Sequence, residues 1–134
     1  VGESGIVAAI CGSFSCPCVF VSGDAATCKE VKALLGDEVV GVPVKIGLTR
    51  FSAVHLSASD ACERIESQVE ACLTARNWPK PLVFAPPVRF EVELASPERV
   101  SEFAGRTGVE VLDPRRVAST GDTFWEAWDH FWPR

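Results

Sequence analysis

Four prolines crowd the stretch from Asn77 to Pro87, at positions 79, 81, 86 and 87. Proline fixes its own φ and has no amide hydrogen to donate, so neither a helix nor an interior strand can run through these residues. They divide the chain. Residues 1–77 read as an α/β part, 78–87 as a proline-rich linker, and 88–134 as a C-terminal β-α-β-α lobe. The expected fold class is α/β, a layered sheet with flanking helices followed by a smaller α+β lobe. A length of 134 residues with 47% apolar content can bury a core and argues against disorder.

In the first part, Glu3 to about Phe14 reads as a helix and Pro17 to Val21 as a short buried strand. Ser22-Gly23-Asp24 is then a turn into a second helix, Ala25 to Leu35, which Gly36 stops. Val39 to Leu48 has the Val and Ile content of a strand, and Gly41 and Pro43 within it predict an edge position or a bulge. The longest helix runs from Ser57 or Ser59 to Arg76. Its spacing turns Cys62, Ile65, Val69, Cys72 and Leu73 inward and Glu63, Glu66 and Glu70 outward. Beyond the linker, Val88 to Leu94 alternates apolar and charged residues as a half-buried antiparallel strand does. A short helix from Ser96-Pro97 through Phe103 follows, then a strand from Val109 to Val117 and a turn at Thr120-Gly121-Asp122. Thr123 and Glu126 form a capping box for the last helix. That helix carries Phe124, Trp125, Trp128, Phe131 and Trp132, more aromatic area than one stripe can hold. Either the core is broad with one ring left partly exposed, or the helix buries against another chain. That chain would be a second copy in a homo-oligomer or a missing first half.

A helix starting at Glu3 places residues 3, 7, 10 and 14 on one face, so Glu3 shares a stripe with Val7, Ile10 and Phe14. A carboxylate turned toward a packed interior must meet a cation, a metal or several donors. An exposed one would only complement the helix dipole. Spacing leaves both open. Asp24 follows a strand and opens a helix, where an α/β layer holds its ligands, and it is equally placed to cap that helix. His55 and His130 read as surface or hydrogen-bonded histidines. The six cysteines do not show metal or disulfide spacing, and Cys62 and Cys72 read as core.

Val1-Gly2-Glu3-x-Gly5, Val19-x-Val21-Ser22-Gly23-Asp24, Glu30, Leu34-Leu35-Gly36, Val44-Lys45-x-Gly47-Leu48-x-Arg50 and Ser52-Ala53 follow one another in a specific order. Gly108-Val109-Glu110-Val111, Thr120-Gly121-Asp122-Thr123 and Glu126-Ala127 continue the series. Together they resemble the second half of the DppA-type zinc D-aminopeptidases, over essentially the whole chain. The resemblance implies two zinc ions (Zn), held mostly by a Ser-x-Asp-x-Glu-Gly motif and two histidines of the first half, with Glu3 as one further carboxylate ligand. This chain has neither that motif nor those histidines. The implied partner is therefore an N-terminal half of the same protein or a companion chain, and Val1 reads as a product of cleavage or processing. Lys45 and Arg50 match the family pattern and are candidates to hold a substrate carboxylate or an acid beside the site, against the plainer reading of solvated surface charges.

A formal net charge of −5 without a block of Lys or Arg leaves no footprint for nucleic acid or an acidic membrane. No apolar run, signal peptide or lipidation motif anchors the chain, so the cytoplasm is the expected compartment. The leading function is the C-terminal part of a zinc-dependent aminopeptidase or amide hydrolase acting on short peptides through metal-activated water. A non-catalytic assembly or ligand-binding module, or a biosynthetic amidase or esterase on the same fold, stays open beside it.

Overall fold

The computed structural model describes residues 1–133. The chain divides into two compact units, Val1–Val83 and Phe84–Arg134, and each is mixed α/β. Residues 78–83 of the proline-rich stretch belong to the first unit, where the indole N–H of Trp78 donates to the Cys72 carbonyl at 3.2 Å.

In the first unit, α1 (Glu3–Ser13) precedes β1 (Phe20–Asp24), α2 (Ala25–Leu35), β2 (Val40–Thr49), β3 (Ser52–His55) and α3 (Ala58–Ala75). The sheet has three strands in the order β1-β2-β3, with β1 parallel to β2 and β2 antiparallel to β3. Thus β1-α2-β2 is a crossover unit and β2-β3 a hairpin turning at Arg50 and Phe51. The expected strand at Pro17 to Val21 lies three residues later, and Ser22, Gly23 and Asp24 are strand rather than turn. The central position of β2 excludes the edge alternative for Pro43. The bulge alternative holds, because the register passes from Gly23↔Pro43 to Asp24↔Lys45 and leaves Val44 without an opposite residue. A proline is tolerated in an inner strand where the ladder is already broken. No expectation covers β3.

The core of this unit is built from small side chains: Ala8, Ala9, Cys28, Val31, Val39, Val42 and Cys72. Helix α1 buries Gly5, Ala8, Ala9 and Gly12, while Val7 is 51% and Phe14 68% exposed. The stripe shared by Glu3, Val7, Ile10 and Phe14 is thus the outer side of α1, contrary to the inward reading. The inner side is the smooth one because it approaches backbone: a Cβ at Gly12 would strike the Leu82 carbonyl. In α3, Ser57 caps by accepting the Asp60 N–H at 3.1 Å, and Cys72 is buried with its thiol donating to the Val19 carbonyl at 3.5 Å. Cys62 is exposed and Leu73 is 53% exposed, so they are not core. A three-stranded sheet is too narrow to cover the whole apolar arc of an 18-residue helix.

The second unit contains β4 (Val88–Glu93), a 3-10 turn (Pro97–Glu102), β5 (Val109–Val111), β6 (Arg116–Gly121) and α4 (Phe124–Asp129). All pairings are antiparallel, in the order β4-β6-β5. The strand expected from Val109 to Val117 is two strands. Asp113 breaks it, its carboxylate accepting the backbone N–H groups of Arg115 and Arg116, each at 2.8 Å. The capping box forms, with Thr123 Oγ1 accepting the Glu126 N–H at 3.1 Å and Glu126 reaching back to the Asp122 N–H at 2.8 Å. The aromatic residues of α4 and of the residues that follow it pack largely within the unit: Phe90 meets Phe124 at 5.2 Å and Phe103 meets Phe131 at 5.7 Å, edge to face. Trp132 is the ring left partly exposed.

Candidate functional site

The C-terminal end of β1 runs straight into α2, and Asp24 sits at that junction with extended φ and ψ of −70° and 142°. Its two carboxylate oxygens do separate work. Oδ1 accepts the Ala26 N–H at 2.8 Å and caps α2, while Oδ2 accepts the Gly47 N–H of β2 at 2.6 Å. The capping alternative is therefore realised, with a second tie added to it. Gly47 is needed for the approach, since a Cβ there would stand 2.9 Å from Oδ2.

The same junction forms one wall of an open hollow of about 420 Å³. Lys45, Thr49, Arg50, Ser52 and His55 of the β2-β3 hairpin form the rest with Gly47, Phe51 and Ala53. Strand alternation explains part of the set: residues 45 and 47 point to one face of β2, and their ladder partners His55 and Ala53 to the same face of β3. The register shifts between Gly47 and Thr49, and beyond that irregularity Thr49 and its partner Ser52 join the lining at the turn end of the hairpin. The other face carries Ile46 and Val54 opposite each other, both exposed. Sequence reasoning singles out Asp24, Lys45 and Arg50, and the structure brings these three together. It misses the hairpin, so it leaves His55 outside and does not see Thr49 and Ser52, whose hydroxyls share a 2.8 Å hydrogen bond. The Arg50 guanidinium lies 5.4 Å from the Phe51 ring centroid.

Glu3 is not part of that lining. It sits exposed in the first turn of α1, with no hydrogen-bond or ion-pair partner among the described residues. What places it is the backbone before it: the Gly2 N–H is donated to Glu30 Oε1 of α2 at 2.6 Å, and Gly5 packs close to Leu34. Glu30 and Gly2 stand in the sequence only as members of a spaced series; nothing in a single sequence marks them as partners 28 residues apart. A free, exposed carboxylate on a fixed backbone suits one ligand of a metal ion. Among the described residues no group of three His, Cys, Asp or Glu side chains comes together as a metal site requires, so the chain fits a single ligand and not a whole zinc centre.

Cys18 and Cys28 do not line the hollow. Burial pushes the Cys18 thiol up, with Cys11 and Cys16 adding to the shift, and burial with the neighbouring Asp24 carboxylate raises Cys28. Neither thiol has the depressed value of a nucleophile. Among the described residues no helix is long and apolar enough to cross a membrane.

A family model described as D-aminopeptidase, peptidase family M55, matches residues 1–132. No curated protein matches the sequence. A solved structure described as the Zn-dependent D-aminopeptidase DppA from Bacillus subtilis, a self-compartmentalizing protease, superposes with a TM-score of 0.89 at 23% identity. The match takes in 97% of this chain and 47% of that one, so the chain spans about half the length of the structure it resembles. At that identity the likeness establishes the fold.

Proposed function

We propose, for a chain that belongs to the D-aminopeptidase family, that it is the C-terminal part of a zinc-dependent aminopeptidase acting on short peptides, with D-residues among its substrates. The observation that carries this reading is the family match over residues 1–132, which includes the Gly-Glu pair at the start of α1. Glu3 is the residue proposed to hold zinc, since it stands exposed and unengaged on a helix start that Glu30 fixes. The remaining ligands are proposed to come from a segment outside this sequence, an N-terminal half of the same protein or a companion chain. Bound zinc would polarise the scissile carbonyl and activate a water.

The residues of this chain have narrower tasks. Glu3 contributes negative charge and an oxygen ligand. Asp24 holds the C-terminal end of β1, the start of α2 and the β2-β3 hairpin in one arrangement through its two hydrogen bonds. Lys45 and Arg50 are proposed to meet substrate in the hollow that Asp24 supports. Assembly as a homo-oligomer and a cytoplasmic location belong to the same proposal. The exposed Ile46, Leu48, Phe51 and Val54 supply apolar surface for assembly.

The test uses the protein that carries this chain together with the segment supplying the other ligands. Glu3→Ala is expected to lower bound zinc per protomer, measured by elemental analysis, and to abolish turnover of a D-amino-acid peptide. Full zinc content in the variant would remove Glu3 from the metal site, and a wild-type protein without zinc or peptidase activity would leave a non-catalytic module on the family's fold.

A further inference from the structure

We infer that the hollow on the polar face of the β2-β3 hairpin is a seat for the terminal carboxylate of a short peptide, which makes the substrate class peptides of a few residues with a free C-terminal acid. The inference rests on the peptidase reading above for the identity of the anion, and on geometry for the site.

The electrostatics of the hollow run against those of the chain. The whole sequence carries a formal charge of −5, yet Lys45 and Arg50 line this one concavity and neither has an ion-pair partner among the described residues. The one acid present, Asp24, has each oxygen occupied by a backbone N–H, from Ala26 and from Gly47. It therefore acts as a structural tie; its charge stays in the hollow, but Lys45 and Arg50 outnumber it and leave the lining with an excess of positive charge for an anion. His55, directly across the ladder from Lys45, adds a ring N–H, and the Thr49 and Ser52 hydroxyls complete a polar rim.

Chemistry selects the ligand. A guanidinium offers paired N–H donors that match the two oxygens of a carboxylate, and a nearby ammonium adds a point charge without competing for that geometry. The hollow, about 420 Å³, lies within the size range of small-ligand sites and is too small for a folded protein segment. A short peptide processed from its amino end carries one carboxylate at the opposite end. Recognition of that end would favour peptides short enough to reach both places at once, and would disfavour amidated or internal segments.

The experiment compares a D-alanine tripeptide bearing a free carboxylate with its C-terminal amide, in the whole protein and in the Lys45→Gln/Arg50→Gln double variant. Steady-state kinetics and calorimetric binding are measured for each, and thermal melts check the fold. The wild type is expected to favour the acid over the amide by about tenfold or more, expressed in KM, as the loss of hydrogen bonds to a charged group implies. The double variant is expected to bring the ratio close to one. A ratio preserved in the double variant, or no preference in the wild type, overturns the inference. If the wild type hydrolyses neither peptide, the peptidase reading fails while binding still decides this one: acid bound and amide not bound upholds the seat. Inorganic phosphate binding as tightly as the acid would make the hollow a general anion site and overturn the peptide assignment.

Discussion

Glu30 accepts the backbone N–H of Gly2 at 2.6 Å, so a side chain of α2 ties down the residue immediately before α1. Gly2 is the N-cap of α1 and supplies no side-chain oxygen of its own, and its carbonyl accepts the first helical hydrogen bonds, from Gly5 and Ile6 at 3.1 Å. Glu30 thus takes, from another helix, the part that the Glu of a capping box plays when it accepts the N-cap N–H. The position of Glu3 follows from it.

Glu30→Ala is expected to loosen the first turn of α1 and cost about 1 kcal/mol, the usual net worth of a hydrogen bond that is not deeply buried. Glu30→Gln, which keeps an acceptor oxygen, should lose less. Amide hydrogen exchange checks this directly, because Gly5 and Ile6 should lose protection in the alanine variant ahead of the rest of the unit. Unchanged protection there would show that α1 is held by its packing alone.

The approach of α1 to residue 82 sets a second expectation. A Cβ on Gly12 would run into the Leu82 carbonyl and backbone, which cannot rotate away, whereas one on Gly5 meets the side chains of Val1 at 2.9 Å and Leu34 at 3.1 Å. Gly12→Ala should therefore cost about 1–3 kcal/mol, as overpacking does, despite the better helix propensity of alanine. Gly5→Ala should cost less. Urea midpoints of the two variants would settle the order.

Asp24 joins three elements through two oxygens, and substitutions can separate its tasks. Asp24→Ala loses both hydrogen bonds and is expected to cost about 2 kcal/mol, the sum of a typical N-cap and one further bond. Asp24→Ser keeps a cap for Ala26 and loses the tie to Gly47, so it should recover about half. Chemical denaturation gives the energies. Chemical shifts of Gly47 and its neighbours would report whether the hairpin has moved. They should change in both variants, while those of Ala26 should change strongly only in the Asp24→Ala protein.

The helices are legible because their caps are local: Ser57, Thr123 and Gly36 act within four residues of their own positions, and α2 begins and ends where Ala25 and Leu35 predict. The sheets are less so. The turn at Asp113 and the hairpin turn at Arg50-Phe51 carry no glycine, and the strands beside them look continuous or absent until the pairing partner is known. The face of α1 misleads for a related reason. Large apolar residues ordinarily mark the inner side, but here the partner at Gly12 is the Leu82 backbone, which leaves no room even for a Cβ. Of the site, Asp24, Lys45 and Arg50 can be picked out singly; that they share one hollow with His55, and that Glu30 positions Gly2, depends on contacts between residues distant in sequence.

A pH prediction concerns the second unit. Hydrogen bonds from the Arg115 backbone N–H, then from the Arg116 side chain and backbone, hold the Asp113 carboxyl below its ordinary value of 3.8. A folded value below the unfolded one means that the ionised form is favoured by folding, so the contribution is fully present above the unfolded pKa and fades as pH falls through the folded one. Asp113→Asn keeps an oxygen that can accept the two backbone N–H groups and removes the charge that Arg116 Nε meets at 2.6 Å. The wild type should therefore be the more stable of the two at about pH 6, and the difference should shrink steadily below about pH 4. Denaturation curves of both proteins from about pH 6 down to about pH 2.5 measure it. A difference that stays constant across that range would mean that the turn is held by its hydrogen-bond geometry and owes nothing to the ionised carboxylate.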